Sequence, residues 1–483
     1  MKTFLLYSLI LQVFAIDYLK LIEENFDESI TPCDNLYRFV CPINGSVLTE
    51  VMTQEFEKEL ENIEIPEKYI DMKEQLELLI EETSFETPEE EDLFVMRMVE
   101  PLEQLCLNNR DEYARVLKGL DSLGPQQSFA TFLLFNDCHD AALTLKVPIY
   151  NEFLTTYSSE SFFIILKTID SFKLFQWLED NRDVYQRLKS TVTIIKSFAS
   201  QLILTTPWIQ NRNYTKLYEE VWNQMYLSDN LDDKYTNEQY LQEFSTKVQE
   251  CRESLNASFL TPICYNRAIH GLVHKPRLMG TIYNAGNGHP YMDISNGFIY
   301  FAAIDLPPAF YLGSVAHVLA HEVGHSYIVS SRGDSNLPYF PNETRSCIQN
   351  QFTKSCEFFA EEECETSDNQ FDENGADVFA YGMMYEILKF AYGENINDLV
   401  KGTTKNITNA QLFFLSTPIT LCSNSPTTSV SWDSHHAEVV RVNSVAAQNL
   451  DFEDYFNCPK NSKMAESKTE KCYVLGENAA ITK

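Results

Sequence analysis

Residues Val315 to Tyr327 read V-A-H-V-L-A-H-E-V-G-H-S-Y, and within them His321, Glu322 and His325 spell H-E-x-x-H. On a helix, two histidines four residues apart share one face and can grip a single metal ion. Neutral imidazoles suit zinc, and a carboxylate beside the first histidine stands next to the open coordination position, where it can take a proton from metal-activated water. The residues before the motif, Val315, Ala316, Val318, Leu319 and Ala320, are too apolar for an ordinary surface helix. A histidine pair on a buried helix points to metal chemistry, and the whole pattern to a zinc peptidase.

Two histidines leave zinc short of a ligand. Glu343 follows at a plausible distance but sits inside the sequon Asn342-Glu343-Thr344, where a glycan would belong on the surface. Glu361, Glu362, Glu363 and Glu365 fall among cysteines with no helical period and read as an acidic loop. Glu394 and Asp398 repeat the E-x-x-x-D spacing after Gly393, without an amphipathic pattern behind them. Glu373-Asn374-Gly375-Ala376-Asp377 differs: Ala376, Phe379, Ala380, Met383, Ile387 and Leu388 follow the 3.6-residue period of a helix. On that helix Glu373 can bind zinc while Asp377, on the same face, accepts a hydrogen bond from a ligand histidine and fixes its tautomer.

Other elements must position these residues. Gly313-Ser314 offers a cap for the H-E-x-x-H helix. The apolar, aromatic run Phe298 to Ile304, ended by Pro307-Pro308, suits a buried strand, along whose edge an extended peptide can pair. Upstream, residues 49 to 120 are rich in Glu, Lys, Leu and Met, as helices require. There Thr87-Pro88-Glu89-Glu90 reads as a helix start whose helix buries Phe94, Val95, Met98, Val99 and Leu102. Residues 128 to 265 continue as aromatic-rich amphipathic segments with no repeat and no catalytic motif. This divides the chain into a mainly helical amino-terminal domain, residues 16–265, and a zinc peptidase domain, residues 266–483.

Residues 1–15, MKTFLLYSLILQVFA, have a lysine near the start, an apolar run and a small residue at Ala15, the pattern of a cleaved signal peptide. Asp17 and Lys20 interrupt too early for a membrane anchor, so the mature protein is expected to be secreted. Twelve cysteines in an exported chain point to disulfides, with Cys251 and Cys264 placed to pair locally. Sequons at Asn44, Asn213, Asn256, Asn342 and Asn406 agree with that route. With 37 basic against 70 acidic residues, the net charge of −33 disfavours nucleic acid and anionic membranes as partners. The sequence leaves the oligomeric state open.

With these residues in hand, the chain resembles the neprilysin family of zinc metallopeptidases. The family's H-E-x-x-H matches His321 to His325, and its E-x-x-A-D matches Glu373 to Asp377. Asn284-Ala285 resembles the start of its N-A-[YF]-Y motif, and Pro32-Cys33 to Cys41 its amino-terminal cysteine segment. His435 and Arg441 are similar to its transition-state histidine and substrate-binding arginine, and the cysteines Cys458 and Cys472 to its carboxyl terminus. The chain departs at Gly286-Asn287, which replace an aromatic pair, and at Ser326-Tyr327-Ile328, which replace a G-F-D whose aspartate would orient His325.

The resemblance implies a mainly α (α+β) fold: a thermolysin-like catalytic domain with a small sheet, and a helical domain covering the active site. It also implies one Zn2+ on His321, His325 and Glu373, with Glu322, Asp377 and His435 catalytic. Asn284, Ala285 and Arg441 would bind peptide substrates. Disulfides Cys33–Cys458, Cys41–Cys422 and Cys347–Cys472 follow from the same resemblance. The expected function is secreted zinc-dependent endopeptidase; the departures favour, as an alternative, a neprilysin-like secreted binding protein with weakened or lost turnover.

Overall fold

The computed structural model describes residues 18–42, 47–83, 88–122, 129–154, 165–166, 169, 172–211, 213–224, 226–227, 237–270, 272, 282–283, 302, 306–328, 340–422 and 434–479. The fold is mainly α-helical, in two compact units that are each discontinuous in sequence. One unit spans Leu60–Asp180 and Asp229–Met279; the other spans Met1–Glu59, Asn181–Ser228 and Gly280–Lys483. These units cut across the sequence division at residues 265 and 266. Among the described residues, no helix is long and apolar enough to cross a membrane.

The first unit is built from amphipathic helices whose apolar stripes meet in one core. The helix Pro88–Asn108 buries Phe94, Val95, Met98, Val99 and Leu102, as its periodicity predicts; Thr87, its expected cap, lies outside the described residues. Tyr69, Leu76, Val116, Leu117, Leu145, Phe244 and Leu255 join them. Disulfides Cys106–Cys138 and Cys251–Cys264 pin neighbouring helices together, the second being the local pair expected from sequence.

In the second unit, the helix Val315–His325 packs against Phe371–Tyr392 and Arg182–Thr205. Glycines allow the first of these contacts. A Cβ on Gly324 would stand 2.9 Å from Phe379 Cδ1 and 3.3 Å from the Cα of Ala376, and one on Gly375 would stand 2.9 Å from Ile328 Cγ2. A glycine inside a helix costs roughly 0.5–1 kcal/mol relative to alanine; here it brings two motif-bearing backbones close together. The helix Glu438–Ala447 packs against both Phe371–Tyr392 and Asn342–Phe359.

The amino terminus belongs to this unit. Cys33–Cys458, Cys41–Cys422 and Cys347–Cys472 form as the resemblance implies, and Cys356–Cys364 completes six disulfides that use all twelve cysteines. In the chain-entropy picture, long loops such as the first two restrict the unfolded chain most, by roughly 6 kcal/mol each. Buried Glu23 accepts hydrogen bonds from the backbone of Thr404 and Lys405 and from the Thr404 hydroxyl, docking the helix Tyr18–Glu24.

One local expectation is corrected, and another meets the described residues at a single position. The Ser314 hydroxyl donates to the Phe310 carbonyl, 2.7 Å away, and does not cap the helix it precedes, because the short helix Pro308–Gly313 runs directly into that position. The strand expected over residues 298–304 lies outside the described residues except for Ala302, which is helical and buried; periodicity alone cannot separate a buried strand from a buried helix in a short apolar run. The described sheet is a two-residue antiparallel ladder elsewhere, Tyr226 opposite Tyr283 and Leu227 opposite Ile282.

Candidate metal centre

His321 and His325 face Glu373 across the close helix pair. His321 Nε2 lies 3.1 Å from Glu373 Oε2, His325 Nε2 lies 3.4 Å from the same oxygen, and the two Nε2 atoms are 3.0 Å apart. His435 Nε2 approaches that oxygen to 2.9 Å from the segment before the helix Glu438–Ala447. Three imidazoles therefore converge on one carboxylate oxygen. The donor atoms of His321, His325 and Glu373 all lie within 4.8 Å of one another, a spacing that one cation can bridge. Two imidazoles and a carboxylate form a donor set suited to zinc, so these residues fit the ion that the motif implies.

Behind this group sits a second layer. Asp377 Oδ1 stands 2.8 Å from His321 Nδ1, four residues along the helix from Glu373. Arg441 donates to the same carboxylate through Nε and Nη2, both at 2.8 Å. Burial opposes the charge on Asp377, but Arg441 and His321 outweigh it and hold the carboxyl far below the usual carboxylate range. Burial likewise opposes the charge on Glu373, and the three histidines outweigh it. For His321, burial works against protonation, yet Asp377 and Glu373 push the ring up to about 9. A cation taking Nε2 must displace that proton, so its uptake depends on pH. Glu322 shifts opposite to Asp377 and Glu373: burial raises its pKa, only partly offset by His321 and His325.

The rival carboxylates do not reach this group. Glu343, Glu361, Glu362, Glu363, Glu365 and Glu394 are exposed. Glu361 instead pairs with Arg38. Asn284 and Ala285 lie outside the described residues. Ile328, at the position where the resemblance would place an aspartate, is buried against Gly375. Sequence reasoning passed over His317, which continues the four-residue spacing of His321 and His325. It is buried, its two ring nitrogens have no hydrogen-bond partner, and its ring meets Tyr381 edge-on with centroids 5.9 Å apart. The H-x-x-x-H-x-x-x-H spacing was the available signal.

Two packed helices, one carrying H-E-x-x-H and the other E-x-x-x-D, with donors converging at their contact, have the arrangement of a zinc-peptidase domain. Residues 300–472 match the family Peptidase family M13. This part of the chain is accordingly a peptidase M13 domain, of the neprilysin family. No curated protein sequence matches the chain. Among solved structures, the Haemonchus galactose-containing glycoprotein complex is similar over 95% of this chain and 98% of its own, at 14% identity and a TM-score of 0.51, which is a likeness of fold. The zinc metalloprotease Zmp1 of Mycobacterium tuberculosis in its open state matches over 71% of this chain and 61% of its own, at 12% identity and a TM-score of 0.43. PepO from Lactobacillus rhamnosis matches over 85% and 76%, at 12% identity and a TM-score of 0.36.

Proposed function

We propose that the protein is a secreted zinc-dependent endopeptidase that hydrolyses oligopeptides, with residues 1–15 removed as a signal peptide. The observation that carries this reading is the convergence of His321, His325 and Glu373 within 4.8 Å. Zinc held by these three would supply the Lewis acidity that polarises a scissile carbonyl and lowers the pKa of water toward about 7.

The chain's own residues do the rest. Glu322 takes a proton from the attacking water and returns it to the leaving amine, a task suited to a carboxylate whose pKa burial has raised. His435 donates a hydrogen bond to the oxyanion that develops on the carbonyl. Asp377 fixes the His321 ring so that Nε2 faces Glu373. Arg441 commits Nε and Nη2 to Asp377, which leaves Nη1 to meet a substrate carbonyl. Asn284 and Ala285 hold the substrate backbone.

The test is zinc analysis of the purified protein together with cleavage of a peptide library before and after chelation. About one zinc per chain and chelator-sensitive cleavage at internal bonds are expected. A second reading, a zinc-holding binding protein without turnover, is favoured by buried Ile328 in place of an aspartate near His325. It predicts retained zinc and retained peptide binding with no cleavage.

A further inference from the structure

His435 and His436 are adjacent yet belong to different surroundings. The His435 side chain is 46% exposed and reaches Glu373 at 2.9 Å, with the Ser434 hydroxyl 3.0 Å from its Nδ1. His436 is 2% exposed; its ring lies against Phe352, centroids 5.3 Å apart, and its Nε2 is 3.3 Å from the Thr366 hydroxyl. Thr366 follows Cys364 by two residues, and its hydroxyl lies 4.0 Å from the Cys356 sulfur of the Cys356–Cys364 disulfide. A disulfide sulfur has no hydrogen to give, so within that contact the Thr366 hydroxyl is the only possible donor. This chain of contacts ties the segment before the helix Glu438–Ala447 to the end of the helix Asn342–Phe359.

We propose that His436 is a positioning residue: clamped by Phe352, Thr366 and the Cys356–Cys364 disulfide, it anchors the backbone that presents His435 to Glu373. Its catalytic consequence rests on the peptidase reading above; its structural content does not. Burial of one side chain of an adjacent pair restricts where the other can point, and a histidine 46% exposed on a non-helical segment needs such a constraint to hold one place.

Two readouts test the proposal on the full-length protein. Diethyl pyrocarbonate acylation of His435, followed by peptide mapping, reports whether that ring is held; steady-state kinetics reports the catalytic effect. Thr366→Val and the double variant Cys356→Ser with Cys364→Ser should retain zinc, acylate several-fold faster at His435, and lose kcat by roughly a hundredfold with little change in KM, the scale expected when a reacting group moves by about 1 Å. Thr366→Ser, which keeps the hydroxyl, should restore both. His436→Phe should behave as Thr366→Val does. Unchanged acylation of His435 in folded Thr366→Val and in the double serine variant overturns the proposal. Should the parent protein cleave no peptide, the endopeptidase reading fails, while the acylation rates still decide whether His436 positions His435.

Discussion

Arg441 holds Asp377 through two parallel hydrogen bonds of 2.8 Å, and Asp377 in turn stands 2.8 Å from His321 Nδ1. The helix Glu438–Ala447 thereby sets the electrostatics around His321 on the helix Val315–His325, with the helix Phe371–Tyr392 as go-between. All three side chains are largely buried. Removing the guanidinium strands a carboxylate away from water, which typically costs about 3–5 kcal/mol. Arg441→Met should lower stability by that order in urea unfolding and weaken zinc binding. Arg441→Lys should recover little, since an ammonium cannot make the bidentate contact. An Arg441→Met protein as stable as the parent would contradict this role.

The third ligand is tested by rank. Glu373→Gln should weaken zinc binding most, because a neutral amide replaces a charged oxygen. Asp377→Asn should cost roughly 10-fold to 100-fold in affinity, the usual effect of losing a partner behind a ligand. Glu343→Gln and Glu394→Gln, both at exposed positions, should leave affinity unchanged. Loss of zinc from Glu343→Gln or Glu394→Gln with retention in Glu373→Gln would overturn the assignment.

Gly324 and Gly382 should respond oppositely to alanine. At Gly324 the new methyl meets Phe379 and the Ala376 backbone, so Gly324→Ala should cost roughly 1–3 kcal/mol and displace His325 from Glu373, reducing zinc affinity. At Gly382, an exposed position on the helix Phe371–Tyr392, the added Cβ meets nothing within 4 Å, and Gly382→Ala should stabilise by about 0.5–1 kcal/mol. Thermal and urea unfolding of the two variants checks both signs.

Burial lowers His317 to about 4, with Asp377 opposing that shift. A histidine whose folded pKa is depressed binds its proton more readily in the unfolded chain. Its effect on stability is therefore absent above the unfolded value near 6.5 and grows unfavourable as pH falls toward about 4. The loss is roughly 3 kcal/mol at most. His317→Met, which removes two buried ring nitrogens without hydrogen-bond partners, should raise the melting temperature and flatten the loss of stability between those pH values, measured in chelator to keep zinc linkage out. Parallel pH profiles for parent and variant would exclude this account.

The parts of the site that could be read from sequence are those carried by local periodicity. The spacing of His321 and His325, and the apolar stripe that places Glu373 and Asp377 on one face, depend only on neighbouring residues within one helix. What escaped are contacts between distant segments: Asp377 as the ion-pair partner of Arg441, Phe352 and Thr366 as the neighbours of His436, and Arg182–Thr205 joining the unit that carries the zinc motif. The Cys356–Cys364 pairing was open because cysteine spacing does not determine connectivity. Three long-range disulfides were legible only through resemblance.

The central claim, that zinc on His321, His325 and Glu373 works with Glu322 as the base in peptide hydrolysis, is tested most directly by Glu322→Gln, with zinc content and turnover measured on the same preparation. The amide keeps the side chain's shape and leaves the ligands alone but cannot accept a proton. Zinc should remain at about one per chain while kcat falls by about 100-fold or more, the scale of losing a general base. A variant that keeps its zinc and cleaves peptides as fast as the parent would contradict the account.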